Sequence, residues 1–264
     1  MKCIQIIASV AIVVLCMAAS AGAGEGDIYI QRVADAIGPG IADFVVKGVA
    51  EADRDGAACL IIELDTPGGL VESMRKIVMA IYAAQTPIVV FVSPSGARAA
   101  SAGVMITMAA DIAAMAPGTN IGAAHPVGGG GQEIGETMAE KVTNDLVAFV
   151  KGIAEKRGRN AEWAEKAVRE SVSVTDKEAL EQKVINVVAD DVDDLIRQID
   201  GRQIEGKGTL NLAGAGRNVI QESLRTKILK TISNPNIAYI LMLSLIHISE
   251  PTRPFTLSRM PSSA

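Results

Sequence analysis

The stretch Cys59 to Gly69, CLIIELDTPGG, decides the fold. Its first part, Cys59 to Leu64, is apolar almost throughout, as a strand covered on both faces must be. Its last five residues, Asp65-Thr66-Pro67-Gly68-Gly69, are turn formers, and Leu70 to Ala84 then carries apolar residues at helical spacing. The same strand-then-helix unit recurs on either side. Upstream, Ile28 to Val33 alternates as a strand and Ile41 to Ala52 has a helical period. Downstream, Pro87 to Val92 is a further buried strand, followed by the Gly/Ala/Ser segment Ser95 to Gly103 and a compact apolar stretch to Ala110. Ile112 to Ala116 is one more short run, closed by Pro117-Gly118. Repetition of this unit predicts an α/β fold with a mainly parallel sheet flanked by helices.

Beyond that block, Val127 to Gly135 (VGGGGQEIG) has almost no side chains to bury and reads as a mobile loop. Thr137 to Lys156 places Val142, Leu146, Phe149 and Ile153 on one helical face, and Ala161 to Glu170 reads as a second helix. Thr175 with Glu178 three residues later has the spacing of a capping box. It predicts a short helix ending near Lys183, ahead of a strand at Val184 to Val188. Asp193 to Ile199 closes the globular part, and Gly201 to Arg217 reads as a strand pair or linker.

Of the 264 residues, 49% are hydrophobic but only 3% aromatic, so the core is built from Ala, Val, Ile, Leu and Met. The net charge of −5, with both signs intermixed, offers no basic stripe, and this sets nucleic acid aside as a partner. Lys2, the apolar run Ile4 to Met17 and the small-residue sites Ala19-Ser20-Ala21 and Ala21-Gly22-Ala23 form the pattern of a signal peptide, expected over residues 1–23. The body is then exported and keeps Cys59 alone, so no internal disulfide is expected. The expected division continues with a catalytic domain over 24–202, a linker or juxtamembrane segment over 203–235 and the start of a truncated membrane segment over 236–243. That apolar run is stopped by His247, Glu250, Pro251 and Pro254, short of the roughly 20 residues a span needs. Residues 244–264, beginning SLIHISEPTRP, read as translated adaptor sequence, and no function is assigned to them.

Two features suit the stabilisation of an oxyanion. One is a Gly-Gly turn at the carboxyl end of a strand, Gly68-Gly69; the other is a small-residue turn opening a helix, Ala99-Ala100-Ser101-Ala102-Gly103. In neighbouring parallel strands both turns fall on one edge of the sheet. Ser101 is then placed to attack a carbonyl held by the amides of Ala102 and Gly69, but a hydroxyl nucleophile requires a base. His125 and Lys141, the latter just after the Gly-rich loop, are both available. A helix N-terminus and apolar surroundings each disfavour a charged amine, which is what a basic lysine needs. The residues alone leave open that the glycines serve packing only and that Lys141 is an ordinary solvated helix lysine.

Four ordered segments, DTPGG (Asp65 to Gly69), SPSGARAASAG (Ser93 to Gly103), MAPGTNIGAAHP (Met115 to Pro126) and SVTDKEALEQKVINVVA (Ser173 to Ala189), together resemble the NfeD-family membrane-bound proteases of the ClpP class. The resemblance covers roughly residues 27 to 200, and SNPNIAYILML (Ser233 to Leu243) is similar to the beginning of that family's membrane region. It implies the ClpP/crotonase-like spiral of β-β-α units. It also implies Ser101 as nucleophile, Lys141 as general base, and an oxyanion hole at Gly68, Gly69 and Ala102. The implied substrate is a hydrophobic segment of a stomatin-like membrane protein, cut on the extracytoplasmic side of the cell membrane. A dimer or larger homo-oligomer is expected, with no cofactor and no metal.

His125 is the rival base, because soluble ClpP carries a His just before a Pro at about this distance. Aligning on Pro126 puts Ala124 in that place, and the carboxylate a triad wants near Ser171 is represented only by Glu170. The Ser-Lys dyad is therefore preferred, with His125 as a residue lining the substrate cleft. Arg98 reads as a surface or interface charge and Asp65 as a residue fixing its own turn. Three other functions stay in play: a signal-peptide-peptidase-like protease, a crotonase-fold protein holding an acyl-CoA thioester, and a catalytically silent scaffold for stomatin-like partners.

Overall fold

The computed structural model describes residues 26–126, 135–233, 237, 240 and 242–244. The expected leader, the Gly-rich loop over 127–134, most of the apolar run after 233 and the tail from 245 lie outside the described residues.

The anticipated units form in order: β1 (Ile28–Ala34), α1 (Pro39–Arg54), β2 (Cys59–Asp65), α2 (Val71–Ala83), β3 (Ile88–Val92), β4 (Arg98–Ala100), α3 (Ala102–Ala109), β5 (Ile112–Met115) and β6 (Asn120–Gly122). They are followed by α4 (Glu136–Lys156), α5 (Ala161–Arg169), β7 (Ser173–Thr175), α6 (Asp176–Glu181), β8 (Val187–Val188), α7 (Val192–Ile199), β9 (Gln203–Ile204), β10 (Gly208–Thr209), β11 (Arg217–Ile220) and α8 (Leu224–Ser233). The main sheet runs β11-β1-β2-β3-β5-β8 and every pair in it is parallel.

Strand alternation divides the core in two. Leu60, Ile62 and Leu64 of β2, with Val90 and Val92 of β3, face the larger layer under α1 to α5. Cys59, Ile61, Val89 and Phe91 face a smaller layer closed by Leu195, Ile196 and Ile199 of α7 and by Leu210 and Leu212. Burial on both faces is why β2 and β3 read as apolar runs rather than as alternating strands.

A second, small sheet, β4-β6-β7, stands at the carboxyl ends of the main strands and is extended by isolated parallel bridges Thr66↔Ala99 and Ile37↔Gly69. Thus β3, β4 and α3, then β5, β6 and α4, each make one β-β-α turn of a spiral. The three-residue strands of this sheet are not legible as strands in the sequence.

Other differences concern the second half of the chain. The capping box forms, with Thr175 N donating to Glu178 Oε2 at 2.8 Å. The strand expected over 184–188 is only two residues long, because Val184 N donates to Ala179 O at the end of α6 (2.8 Å) and is drawn into that turn. The globular part also does not close at Ile199. The β9-β10 hairpin forms where a strand pair was expected, β11 then joins the main sheet beside β1, and α8 packs on α1.

Candidate active site

The two turns singled out in the sequence are laced together. Thr66 N donates to Arg98 O (2.8 Å), Ala100 N donates to Thr66 O (3.1 Å), and Asp65 Oδ1 accepts from Arg98 N (3.1 Å). Asp65 therefore joins its own turn to the next one. Gly103 allows α3 to close on this seam, since a Cβ there would lie 2.8 Å from Thr66 Cγ2.

Gly68 and Gly69 divide the work. Gly68 has φ +114, its N–H donates to Thr66 Oγ1 (3.1 Å) and its carbonyl accepts from Ile37 N (2.8 Å). Of the two glycine amides expected at the oxyanion hole, that of Gly68 is taken up by the Thr66 hydroxyl. The role of Gly68 is steric: a Cβ there would sit 2.7 Å from Ser101 Cβ. Gly69 is different. Ile37 bonds to residues 68 and 70, its carbonyl accepting from Leu70 N (2.9 Å), so the bridge turns the Gly69 N–H to the opposite side of the strand. Among the described residues that N–H has no acceptor.

Ser101 caps the amino end of α3 at φ 51 and ψ −112, a conformation that non-glycine residues adopt only under constraint. Its own N–H is tied to Gly122 O (3.0 Å) and its carbonyl accepts from Val104 N (2.9 Å). Ala102, as the first helical residue, has an N–H with no intrahelical acceptor. Ser101, Ala102 and Gly69 all border one cavity of about 120 Å³. Val71, Met74, Met105, Val142 and Leu146 form its apolar wall, and Ala124 and Pro126 its far side. A larger groove of about 480 Å³ between α1 and α2 contains no Ser, Thr, Cys or His in its lining, so size is not the guide to the site here.

Lys141 is the sixth residue of α4, past the first turn over which a helix dipole acts. Its side chain is exposed, and it is the next residue, Val142, that lines the cavity. The folded chain brings Ser101, Gly69 and Ala102 together around the cavity, and Lys141 is not among the residues that line it. His125 is turned away: its Nδ1 lies 3.0 Å from Val168 O on α5, while its neighbours Ala124 and Pro126 face the cavity. In an extended segment alternate residues face opposite sides, which is why these neighbours and not His125 border this cavity.

Two supports were not evident from the sequence. Arg75 of α2 donates to Asp145 Oδ2 (2.6 Å) and stacks 4.2 Å from the centroid of the Phe149 ring, fixing α4 over the cavity. At the other end of α3, the last carbonyls are held by two guanidinium groups. Arg157 Nε donates to Ala109 O (2.7 Å), and buried Arg159 donates to Met108 O and to Ala110 O (2.9 Å). Arg159 also reaches Asn186 Oδ1 (2.7 Å), and Arg157 reaches Asp111 (2.6 Å). Burial, with Arg157 alongside, pushes Arg159 down to about 10, leaving it charged at neutral pH. Cations at the carboxyl end of a helix stabilise it, so the eight-residue helix carrying Ser101 is clamped far from the cavity.

A spiral of this kind, with a helix-opening Ser beside a Gly-Gly turn, defines a ClpP-like fold. The catalytic domain of ClpP from Plasmodium falciparum superposes with a TM-score of 0.50 over 62% of this chain and 85% of that one, at 17% identity, a likeness of fold alone. Within that class the chain belongs to the NfeD family, residues 27–200 matching the model of the NfeD1b N-terminal domain. It is 36% identical over 236 residues to the membrane-bound protease PH1510 of Pyrococcus horikoshii, covering 87% of this chain and 54% of that protein, so it spans about half its relative's length. It also resembles 1510-N from the same organism, described as a membrane-bound stomatin-specific protease and solved as a lysine-to-alanine mutant in complex with a substrate peptide. That structure gives a TM-score of 0.72 and 33% identity over 79% of this chain and 98% of that one. A serine-to-alanine mutant of 1510-N is similarly close, with a TM-score of 0.70.

Proposed function

We propose that this domain is a membrane-associated serine endopeptidase that cuts apolar segments of stomatin-like membrane proteins on the extracytoplasmic side, working as a dimer or larger assembly. The observation that carries the reading is the constrained Ser101 lining an apolar cavity together with Ala102 and Gly69. Likeness to a stomatin-specific protease supports the substrate class.

In this reading Ser101 Oγ attacks the peptide carbonyl carbon and its proton passes to Lys141 Nζ. The carbonyl oxygen becomes an oxyanion held by the two amides, each such donor contributing about 2.7–4 kcal/mol to the transition state. The leaving amine takes the proton back from Lys141, and water then hydrolyses the acyl-enzyme. A bound apolar segment supplies what exposed Lys141 lacks, covering it and excluding water; catalytic geometry of this sort commonly tightens only with substrate present.

Incubation with an apolar peptide from a stomatin-like protein tests this. Ser101→Ala and Lys141→Ala each lose at least about 10³-fold in turnover, and His125→Ala retains it. Cleavage surviving Ser101→Ala would overturn the mechanism, and loss with His125→Ala alone would install a triad. A second reading, a silent scaffold for stomatin-like partners, is favoured by the exposure of Lys141; it predicts peptide binding without cleavage by the unaltered chain.

A further inference from the structure

The face of α8 turned away from the domain has a composition that the chemistry at Ser101 does not explain. Its inner face packs on α1 at close range: a Cβ at Gly40 would meet Lys230 N at 3.1 Å and Leu229 Cβ at 3.3 Å, and Thr226 is fully buried. Lys230 is held there by Glu222 (2.7 Å) and Asp35 (3.2 Å). On the opposite face Leu224, Ile228 and Ile232, at i, i+4 and i+8, are 78%, 59% and 54% exposed. An apolar stripe of that spacing ordinarily faces a core. Here it faces outward.

Cations accompany the stripe. The helix contains Arg225, Lys227 and Lys230 and no acid, although the chain as a whole has a net charge of −5. Lys227 is exposed and has no carboxylate partner among the described residues, and exposed Arg32 on β1 is in the same position. With the Lys230–Glu222 pair these two line an open groove of about 330 Å³ beside β11, where they are the cations without a paired acid among the described residues. A symmetric pairing of two α8 helices would set cations against cations with no acid on either helix, which disfavours a second copy as the occupant.

We propose that α8 is an interfacial helix that lays the domain on an anionic phospholipid surface. Leu224, Ile228 and Ile232 enter the boundary between headgroups and acyl chains, and Lys227 and Arg32 meet lipid phosphates. No helix of the described residues is long and apolar enough to cross a membrane.

The test is flotation of the purified full chain with vesicles of phosphatidylcholine alone or mixed with phosphatidylglycerol. Each cation near an anionic surface contributes roughly fivefold in partition, so binding to the mixed vesicles is tighter by at least about tenfold and falls as salt is raised. Arg32→Glu with Lys227→Glu abolishes that preference, whereas Ile228→Ser with Ile232→Ser weakens binding to both compositions. An unchanged melting temperature in both variants keeps the comparison clean, and none of these residues touches the Ser101 cavity. Equal binding to both vesicle types, or variants that bind as the parent does, would overturn the proposal. So would a serine variant that merely dissociates an oligomer, since the stripe would then belong to a second copy.

Discussion

Ser101 and Gly68 are held back to back, and each constrains the other. Ser101 sits at positive φ because its N–H is anchored to Gly122 and its carbonyl to Val104, and the side chain then comes to rest over the Cα of Gly68. A methyl group at Gly68 would have to displace Ser101 and adopt φ +114, a conformation costing of order 1–3 kcal/mol outside glycine. Gly68→Ala is therefore expected to lower kcat by about 100-fold, the scale on which a reacting group misplaced by about 1 Å loses rate. Peptide turnover by the purified variant measures this, and an unaltered kcat would show that Ser101 is not positioned by that contact.

At the scale of elements, α3 is the part whose integrity decides the site. It is short, wholly buried, and carries Ser101 and the Ala102 amide at one end, while Arg157 and Arg159 hold its carbonyls at the other. Arg159→Met leaves Met108 O and Ala110 O without that donor, and buried carbonyls stranded in this way cost about 1–3 kcal/mol each. The variant should unfold at lower urea, by roughly 3 kcal/mol in all, with turnover falling at denaturant concentrations the parent tolerates. A urea midpoint equal to the parent's would contradict the clamp. None of this could be read from the sequence, because Arg157 and Arg159 lie some fifty residues from the carbonyls they meet and follow a helix end where arginine is commonplace. The small sheet was illegible for a related reason: its strands are three residues long, too short for an alternation to be detected. By contrast β2, β3 and the helices after them were plain, since strands buried on both faces leave nearly continuous apolar runs. Ser101 at a strand-to-helix turn was equally plain, but the commitment of the Gly68 amide depends on the rotamer of Thr66, which no sequence pattern gives.

For the molecule as a whole, two buried acids on opposite faces of the main sheet govern its response to alkali. Burial pushes the Cys59 thiol up from 9.0 to about 12. Burial, and then the hydrogen bond donated to Asp55 (2.9 Å), pushes the Tyr29 hydroxyl up from 10.0 to about 12. In both cases the folded state favours the protonated form. The stability this contributes is complete below the unfolded values, near 9 for Cys and 10 for Tyr, and is lost as pH rises towards about 12. Urea midpoints should therefore fall between pH of about 9 and 11, and Cys59→Ala should lack the part of the decline that begins first. A midpoint constant over that range would mean that these groups ionise as freely folded as unfolded.

The account stands or falls on whether Ser101 is a nucleophile, and a fluorophosphonate that captures activated serines asks this without reference to any substrate. Mass mapping of the treated chain should find one adduct, on the peptide containing Ser101, formed far more slowly in Lys141→Ala and absent in Ser101→Ala. No adduct on the unaltered chain, or one that survives Ser101→Ala, would contradict it.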